Sequence, residues 1–162
     1  VYNYTDALQG IIHGFKYRGF PRLAWHMGRT AARLLPRRVF AAADLVVPVP
    51  LHRLRRMQRG YNQAEMIARG MCVQAGIAQR FAAGVCIRRR RTRTQTHLSA
   101  HQRHTNCSGA FFVPERARAR LQGARVLLVD DVVTTGATVR NCTYALQQAG
   151  CREVRVLCLA RG

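Results

Sequence analysis

The apolar positions of this 162-residue chain change their period along its length. Between residues 4 and 35 they recur at helical spacing, with Leu8, Ile11, Ile12 and Phe15 followed by Leu23, Met27, Ala31 and Leu34. Gly19-Phe20-Pro21 interrupts that pattern, so two helices are predicted. Residues 44–50 read as a short buried strand around Leu45-Val46-Val47-Pro48-Val49, stopped by Pro50. Residues 51–60, polar and carrying four arginines and His52, read as a loop. Asn62 then opens a helix, with Glu65 three residues on at capping-box spacing. Ala64, Ile67, Ala68, Met71 and Ala75 form its apolar stripe, and Gly76 ends it. Val85-Cys86-Ile87 and residues 110–113 are strand-like. Between them, residues 92–106 are polar and aperiodic apart from Leu98, the pattern of a mobile loop with a short helical piece.

The last third carries the strongest pattern. Ala124-Arg125-Val126-Leu127-Leu128-Val129 is a continuous apolar strand, residues 130–136 read as a loop, and residues 137–149 as a helix. Val139, Cys142 and Leu146 supply that helix's buried face and Gly150 its C-terminal cap. Residues 154–159 close the unit as a second buried strand. Strand, helix, strand with uninterrupted apolar strands predicts a right-handed parallel crossover. The expected fold class is α/β, an open, mostly parallel twisted sheet flanked by helices. It should form a single domain over residues 1–162, with a helical N-terminal part (1–40) and an α/β core (41–162).

Charge narrows the partners. The net charge is +20, and Lys16 is the only lysine among 27 basic residues. Arginine presents a rigid fork of donors suited to phosphate, so a polyanion is expected: nucleic acid, pyrophosphate or a nucleotide. No run approaches the roughly 20 apolar residues that span a bilayer, and the start of the chain lacks a basic-then-apolar signal pattern. Membrane insertion is therefore not expected, and the protein reads as cytoplasmic. The cysteines Cys72, Cys86, Cys107, Cys142, Cys151 and Cys158 fall singly, as reduced, mostly buried thiols would.

In an open parallel sheet, ligands bind beyond the carboxyl ends of the strands, where Asp130 and Asp131 stand. Thr134, Thr135, Gly136, Ala137 and Thr138 lead from there into a helix N-terminus. Unused backbone N–H groups, the helix dipole and threonine hydroxyls make such a turn an anion site. Two carboxylates beside a phosphate cradle suit a sugar phosphate, whose hydroxyls would pair with the acids. A P-loop needs a lysine after its second glycine, and a receiver domain needs one after a late strand; Lys16 can be neither. His97, His101 and His104 with Cys107 have spacing that could put ligands on one helical face, but no acid stands beside them as a partner.

The run V-L-L-V-D-D-V-V-T-T-G-A-T at 126–138 closely resembles the phosphoribosyl pyrophosphate loop of type I phosphoribosyltransferases. That resemblance implies that Asp130 and Asp131 hold the ribose 2′- and 3′-hydroxyls, while Thr134, Thr135, Gly136, Ala137 and Thr138 wrap the 5′-phosphate. Pro48-Val49-Pro50-Leu51-His52-Arg53, with Arg56, Arg59, Gly60, Tyr61, Asn62, Gln63 and Glu65, resembles the first block of the ComF-like competence and gluconate-utilisation proteins. Thr94, Gln95, Leu98, Arg103, Asn106, Gly109, Ala110 and Phe111 resemble its middle block.

The resemblance implies that residues 51–60 face the ligand's pyrophosphate and that residues 88–106 close over it. Arg53, Arg56, Arg59 and Arg103 are the candidates to stabilise charge on the departing pyrophosphate. Asp130, Asp131, Arg53 and Arg103 form the expected catalytic set, with Arg56 and Arg59 as further ligand contacts. Mg2+ would arrive with the ligand, Asp130 and Asp131 being the acids able to join it. The implied reaction passes phosphoribosyl to a nitrogenous acceptor and releases pyrophosphate. The alternative is a DNA-uptake accessory binding single-stranded DNA through residues 88–93, together with a helicase-type partner, with the phosphoribosyl site as a ligand sensor. A third possibility keeps ligand binding without turnover. Two departures from the pattern stand out. ComF-like proteins commonly begin with a four-cysteine zinc module, and this sequence starts after where that would lie, either as a fragment or as a member that lacks it. Only Ala160-Arg161-Gly162 follows the last strand, so no hood for an acceptor base is visible.

Overall fold

Pro21 begins the first described helix of the computed structural model, which describes residues 2–3, 20–89 and 110–161. The predicted helix before Gly19 and the predicted loop at 92–106, with its histidines and Arg103, lie outside the described residues. Helix α1 spans Pro21–Leu34, with proline at the first turn, where its missing N–H has no helical partner to lose. A short α2, Arg37–Ala41, leads to strand β2, Leu45–Pro48, buried at every residue. Helices α3, Arg53–Arg59, and α4, Gln63–Gln74, come next. A separate antiparallel pair, β3 (Ile87–Arg88) and β4 (Phe111–Phe112), replaces the longer strands expected there. After a four-residue α5, Glu115–Arg118, the chain ends in β5 (Arg125–Val133), α6 (Ala137–Gln148) and β6 (Glu153–Arg161).

The main sheet has the order β1-β6-β5-β2, with β1 being Tyr2–Asn3, and every pairing is parallel. The chain thus has the expected α/β architecture with helices on both faces. Alternation along β5 divides the core. Val126 and Leu128 face a cluster with Val139, Cys142 and Leu146 of α6, whereas Leu127 and Val129 face Ala24 of α1 and Ile67 and Met71 of α4. Burial on both faces is why these strands read as continuous apolar runs.

Two expectations are corrected. Residues 51–60 are not a loop: His52 accepts the Leu54 N–H through Nδ1, and Gly60 ends α3 in the left-handed region at φ 75°. Arginine, leucine, methionine and glutamine favour helix, but α3 buries none of its residues and so shows no apolar stripe. Nor does the 130–136 loop begin at Asp130. Strand β5 runs on to Val133, with Val132 opposite Ala160 and Val133 opposite Arg161, because pairing with β6 continues past the apolar run.

Helices α1 and α4 touch backbone to backbone. A Cβ on Gly28 would overlap the Ile67 carbonyl, and one on Gly70 the Trp25 carbonyl. At the amino ends of the strands, Asp44 clamps Arg125. Its carboxylate accepts from the Arg125 backbone N–H at 2.8 Å, from Nε at 3.1 Å and from Nη2 at 2.9 Å, while Asp44 N–H donates to the Arg125 carbonyl at 2.8 Å. The clamp sets the β2–β5 register. Of the described cysteines, Cys72, Cys86, Cys142 and Cys151 are buried and Cys158 partly so, all as free thiols. Burial pushes Cys72 up to about 11, so it is unreactive at neutral pH.

Gly70→Ala should destabilise the fold by about 1–3 kcal/mol, read from urea unfolding, because backbone cannot give way as a side-chain end can. Hydrogen bonding to Arg125 lowers the Asp44 carboxyl from 3.8 to about 2. Its stabilising contribution is therefore fully present above pH 3.8 and lost as pH falls through about 2. Asp44→Asn should accordingly be less stable than wild type at neutral pH, with the gap closing across that acid window.

Candidate active site

Three parallel strands deliver their carboxyl ends to one edge of the sheet, and the site lies there. Asp130 and Asp131 are the sixth and seventh residues of β5, half-buried where the strand leaves the core. Each carboxylate takes the N–H of the following residue, Asp131 N–H donating to Asp130 Oδ1 and Val132 N–H to Asp131 Oδ1, both at 2.9 Å. Those bonds fix the directions of the two acids.

Beyond β5 the turn exposes Thr134 and Thr135, and Gly136 serves as N-cap of α6 at φ 74°, a conformation that strains any residue with a Cβ. The Ala137 N–H makes only a long contact, 3.5 Å, to Thr135 Oγ1. The first N–H groups of α6 have no acceptors within the helix and stand at its positive end. Thr134 to Thr138 wall a shallow pocket of about 40 Å3 with Asp130. A larger pocket of about 170 Å3 shares Asp130, Val132 and Thr138 with it and adds Asp131, Arg55, Arg59 and Arg88. The two join through Asp130, Val132 and Thr138 into one trough, with the helix N-terminus on the side of the smaller pocket, Asp130 shared, and Asp131 and the guanidinium groups on the side of the larger.

Two elements carry the cations. Arg55 and Arg59 are one helical turn apart on α3 and so share its pocket-facing side. Arg88 comes from β3, where its guanidinium lies 5.2 Å from the ring of its cross-strand partner Phe111. Burial, and next the charge of Arg55, push the Arg88 guanidinium below its ordinary range, while Asp130 opposes them. Asn62 joins the helix to the sheet: Oδ1 accepts the Ala64 N–H at 3.2 Å and Nδ2 donates to the Val49 carbonyl at 3.0 Å. Glu65, expected to complete a capping box, turns to Arg56 at 3.4 Å and Arg69 at 3.2 Å.

Comparison with known proteins gives these features a family. The model of the phosphoribosyl transferase domain matches residues 63–162. The DNA utilization protein YhgH of Salmonella typhi is 34% identical over 99% of this chain and 70% of its own length. Competence protein F of Haemophilus influenzae is 32% identical over 98% of this chain and 70% of its own. The chain belongs to the ComF-like family of phosphoribosyltransferase-fold proteins. Its fold also resembles two solved structures. The allosteric regulatory enzyme of purine biosynthesis superposes with a TM-score of 0.56 and 24% identity, over 83% of this chain and 25% of that one. The glutamine phosphoribosylpyrophosphate amidotransferase of B. subtilis, solved with ADP and GMP, gives 0.54 and 24% over the same shares.

Within this ComF-like site, Asp130, Asp131, the residues from Thr134 to Thr138, and Arg59 stand together as wall residues of the trough. Arg53 and Arg56 line neither pocket: Arg53 is exposed at the start of α3 and Arg56 faces Glu65. Arg103 lies outside the described residues. Sequence reasoning overlooked Arg55, although its spacing of four from Arg59 would have revealed it once residues 53–59 were read as helix. Arg88, expected both to open the segment 88–106 that closes over the ligand and to belong to the run 88–93 for nucleic acid, sits in the trough wall.

Asn62→Ala should cost about 1–3 kcal/mol in urea unfolding, since it removes the α4 cap and the bond to the Val49 carbonyl together.

Proposed function

We propose that the trough binds magnesium phosphoribosyl pyrophosphate and that the protein transfers the phosphoribosyl group to a nitrogenous acceptor, releasing pyrophosphate. The observation that carries this is the order of chemistry along the trough: helix N-terminus and threonines, then paired carboxylates, then arginines. It matches 5′-phosphate, ribose hydroxyls and pyrophosphate in that sequence. Among the described residues no three His, Cys, Asp or Glu side chains converge. Asp130 and Asp131 are two hard oxygen donors, which suits Mg2+, an ion that keeps several waters and takes phosphate oxygens. Bound there, the ion would neutralise charge on the leaving pyrophosphate.

The residues then act by position and charge. Asp130 and Asp131 accept from the ribose hydroxyls and hold the ring. As the bond from the anomeric carbon to the pyrophosphate oxygen breaks, its electron pair leaves with pyrophosphate, where Arg55, Arg59 and Arg88 meet the growing negative charge. The positive charge left on the ring is met by the acceptor's nitrogen lone pair, which forms the new bond, and the acceptor proton then departs. No protein nucleophile is needed.

A second reading has its own support. Relatives are named for competence and DNA utilization, the chain carries a net charge of +20, and Arg89 is exposed where the run 88–93 begins. Single-stranded DNA binding by such a basic surface would weaken steeply with salt and would not need Asp130 or Asp131.

Calorimetric titration with phosphoribosyl pyrophosphate, with and without Mg2+ in moderate salt, separates the two. Binding should be saturable and magnesium-dependent. Asp130→Asn and Asp131→Asn should each lower affinity by about 1.5–3 kcal/mol, roughly 10- to 100-fold, as expected for a lost charge-assisted hydrogen bond. Unchanged affinity in the double variant would remove the sugar from this site, and no binding by folded protein would leave the DNA reading.

A further inference from the structure

One polar group in the trough wall has no use in the fold itself. Gln63, the first residue of α4, is 3% exposed, and its Nε2 has no hydrogen-bond partner. Its neighbour Asn62 is equally buried but spends both ends of its amide on the Ala64 N–H and the Val49 carbonyl. The adjacent amides have therefore divided their work: Asn62 fastens the helix to the sheet, and Gln63 keeps a donor in reserve. A buried donor without an acceptor is destabilising, and a leucine of similar size would remove that burden without altering the helix. Gln63 stands in the same wall as Arg55, Arg59 and Arg88, at the first turn of a twelve-residue helix whose positive end also favours an anion.

We infer that Gln63 is a positioning residue whose Nε2 donates to the pyrophosphate end of the ligand. This deepens the phosphoribosyl pyrophosphate reading and rests on it for the orientation of the ligand. Arg55 and Arg59 supply charge and donor forks, but on long stems that are exposed or half-exposed, so a buried neighbour can add to the orientation of a diphosphate. A carboxamide buried at a helix start supplies one directed, neutral bond. Its proton stays on nitrogen throughout, so it takes no part in acid–base chemistry. Its use is to orient the diphosphate so that the breaking bond lies across the arginines.

The test titrates the full chain with three probes in turn: phosphoribosyl pyrophosphate with Mg2+, inorganic pyrophosphate with Mg2+, and ribose 5-phosphate. Gln63→Met, which keeps the length and loses the donor, should weaken the first two by about tenfold and leave ribose 5-phosphate unchanged. Without ligand its melting temperature should equal or exceed that of wild type, because a wasted buried donor has gone. Gln63→Glu, well suited to the first turn of a helix, should fold and lose about 100-fold or more for the two diphosphate probes. Equal binding of all three probes by Gln63→Met and wild type would overturn the inference, as would a uniform loss across all three. So would a Gln63→Met protein that melts well below wild type and binds like it, since the amide would then be structural. If pyrophosphate binding depends on Gln63 while the Asp130 and Asp131 variants bind normally, the sugar assignment falls and this inference stands. The reverse pattern sinks this inference alone, and a wild type that binds none of the probes sinks both.

Discussion

Parallel pairing of β5 between β2 and β6 is the interaction on which the site depends. Val129 pairs with Pro48 on one side and Leu157 on the other, and the Val49 N–H donates to the Val129 carbonyl at 2.8 Å. All three strands therefore end at the same edge, and whatever follows them must meet there. From β2 come α3 and α4 with Arg55, Arg59 and Gln63; from β5 come the two acids and the turn into α6. Residues far apart in the chain are gathered without any being placed individually.

The same geometry explains how so basic a chain carries an acidic centre. Asp130 and Asp131 take backbone N–H groups of their own strand and sit between a helix N-terminus and three guanidinium groups. Charges left out of water are stabilised when they are paired and hydrogen-bonded, and each end of the trough supplies the opposite sign. Burial and repulsion from Arg55 lower the Arg88 guanidinium, while Asp130 opposes them. An anionic ligand lying across the arginines would relieve that repulsion.

Much of this was legible in the chain. The unit from β5 to β6 could be read because its strands are apolar on both faces, its helix has a clear stripe and its turn residues have few other uses. The Asn62 cap was visible for the same reason, as a polar residue just before a periodic run. Helix α3 escaped notice because it buries nothing, and helices are recognised mainly by the face they bury. Without it, the arginines of residues 51–60 could not be sorted: Arg53 and Arg56 stood level with Arg59, and Arg55 was passed over. The end of β5 was misplaced because cross-strand pairing with Ala160 and Arg161, rather than local hydrophobicity, carries the strand past its acids. Gln63 illustrates a last limit: only packing reveals which of two adjacent amides is already occupied.

The proposed site fixes the orientation of its ligand, so the most direct measurement is a crystal structure of the chain with phosphoribosyl pyrophosphate and Mg2+. The 5′-phosphate is expected against the turn from Thr134 to Thr138, the ribose hydroxyls on Asp130 and Asp131, and the pyrophosphate between α3 and the start of α4. A ligand bound in the reverse sense, or held by surface arginines away from β5, would contradict it.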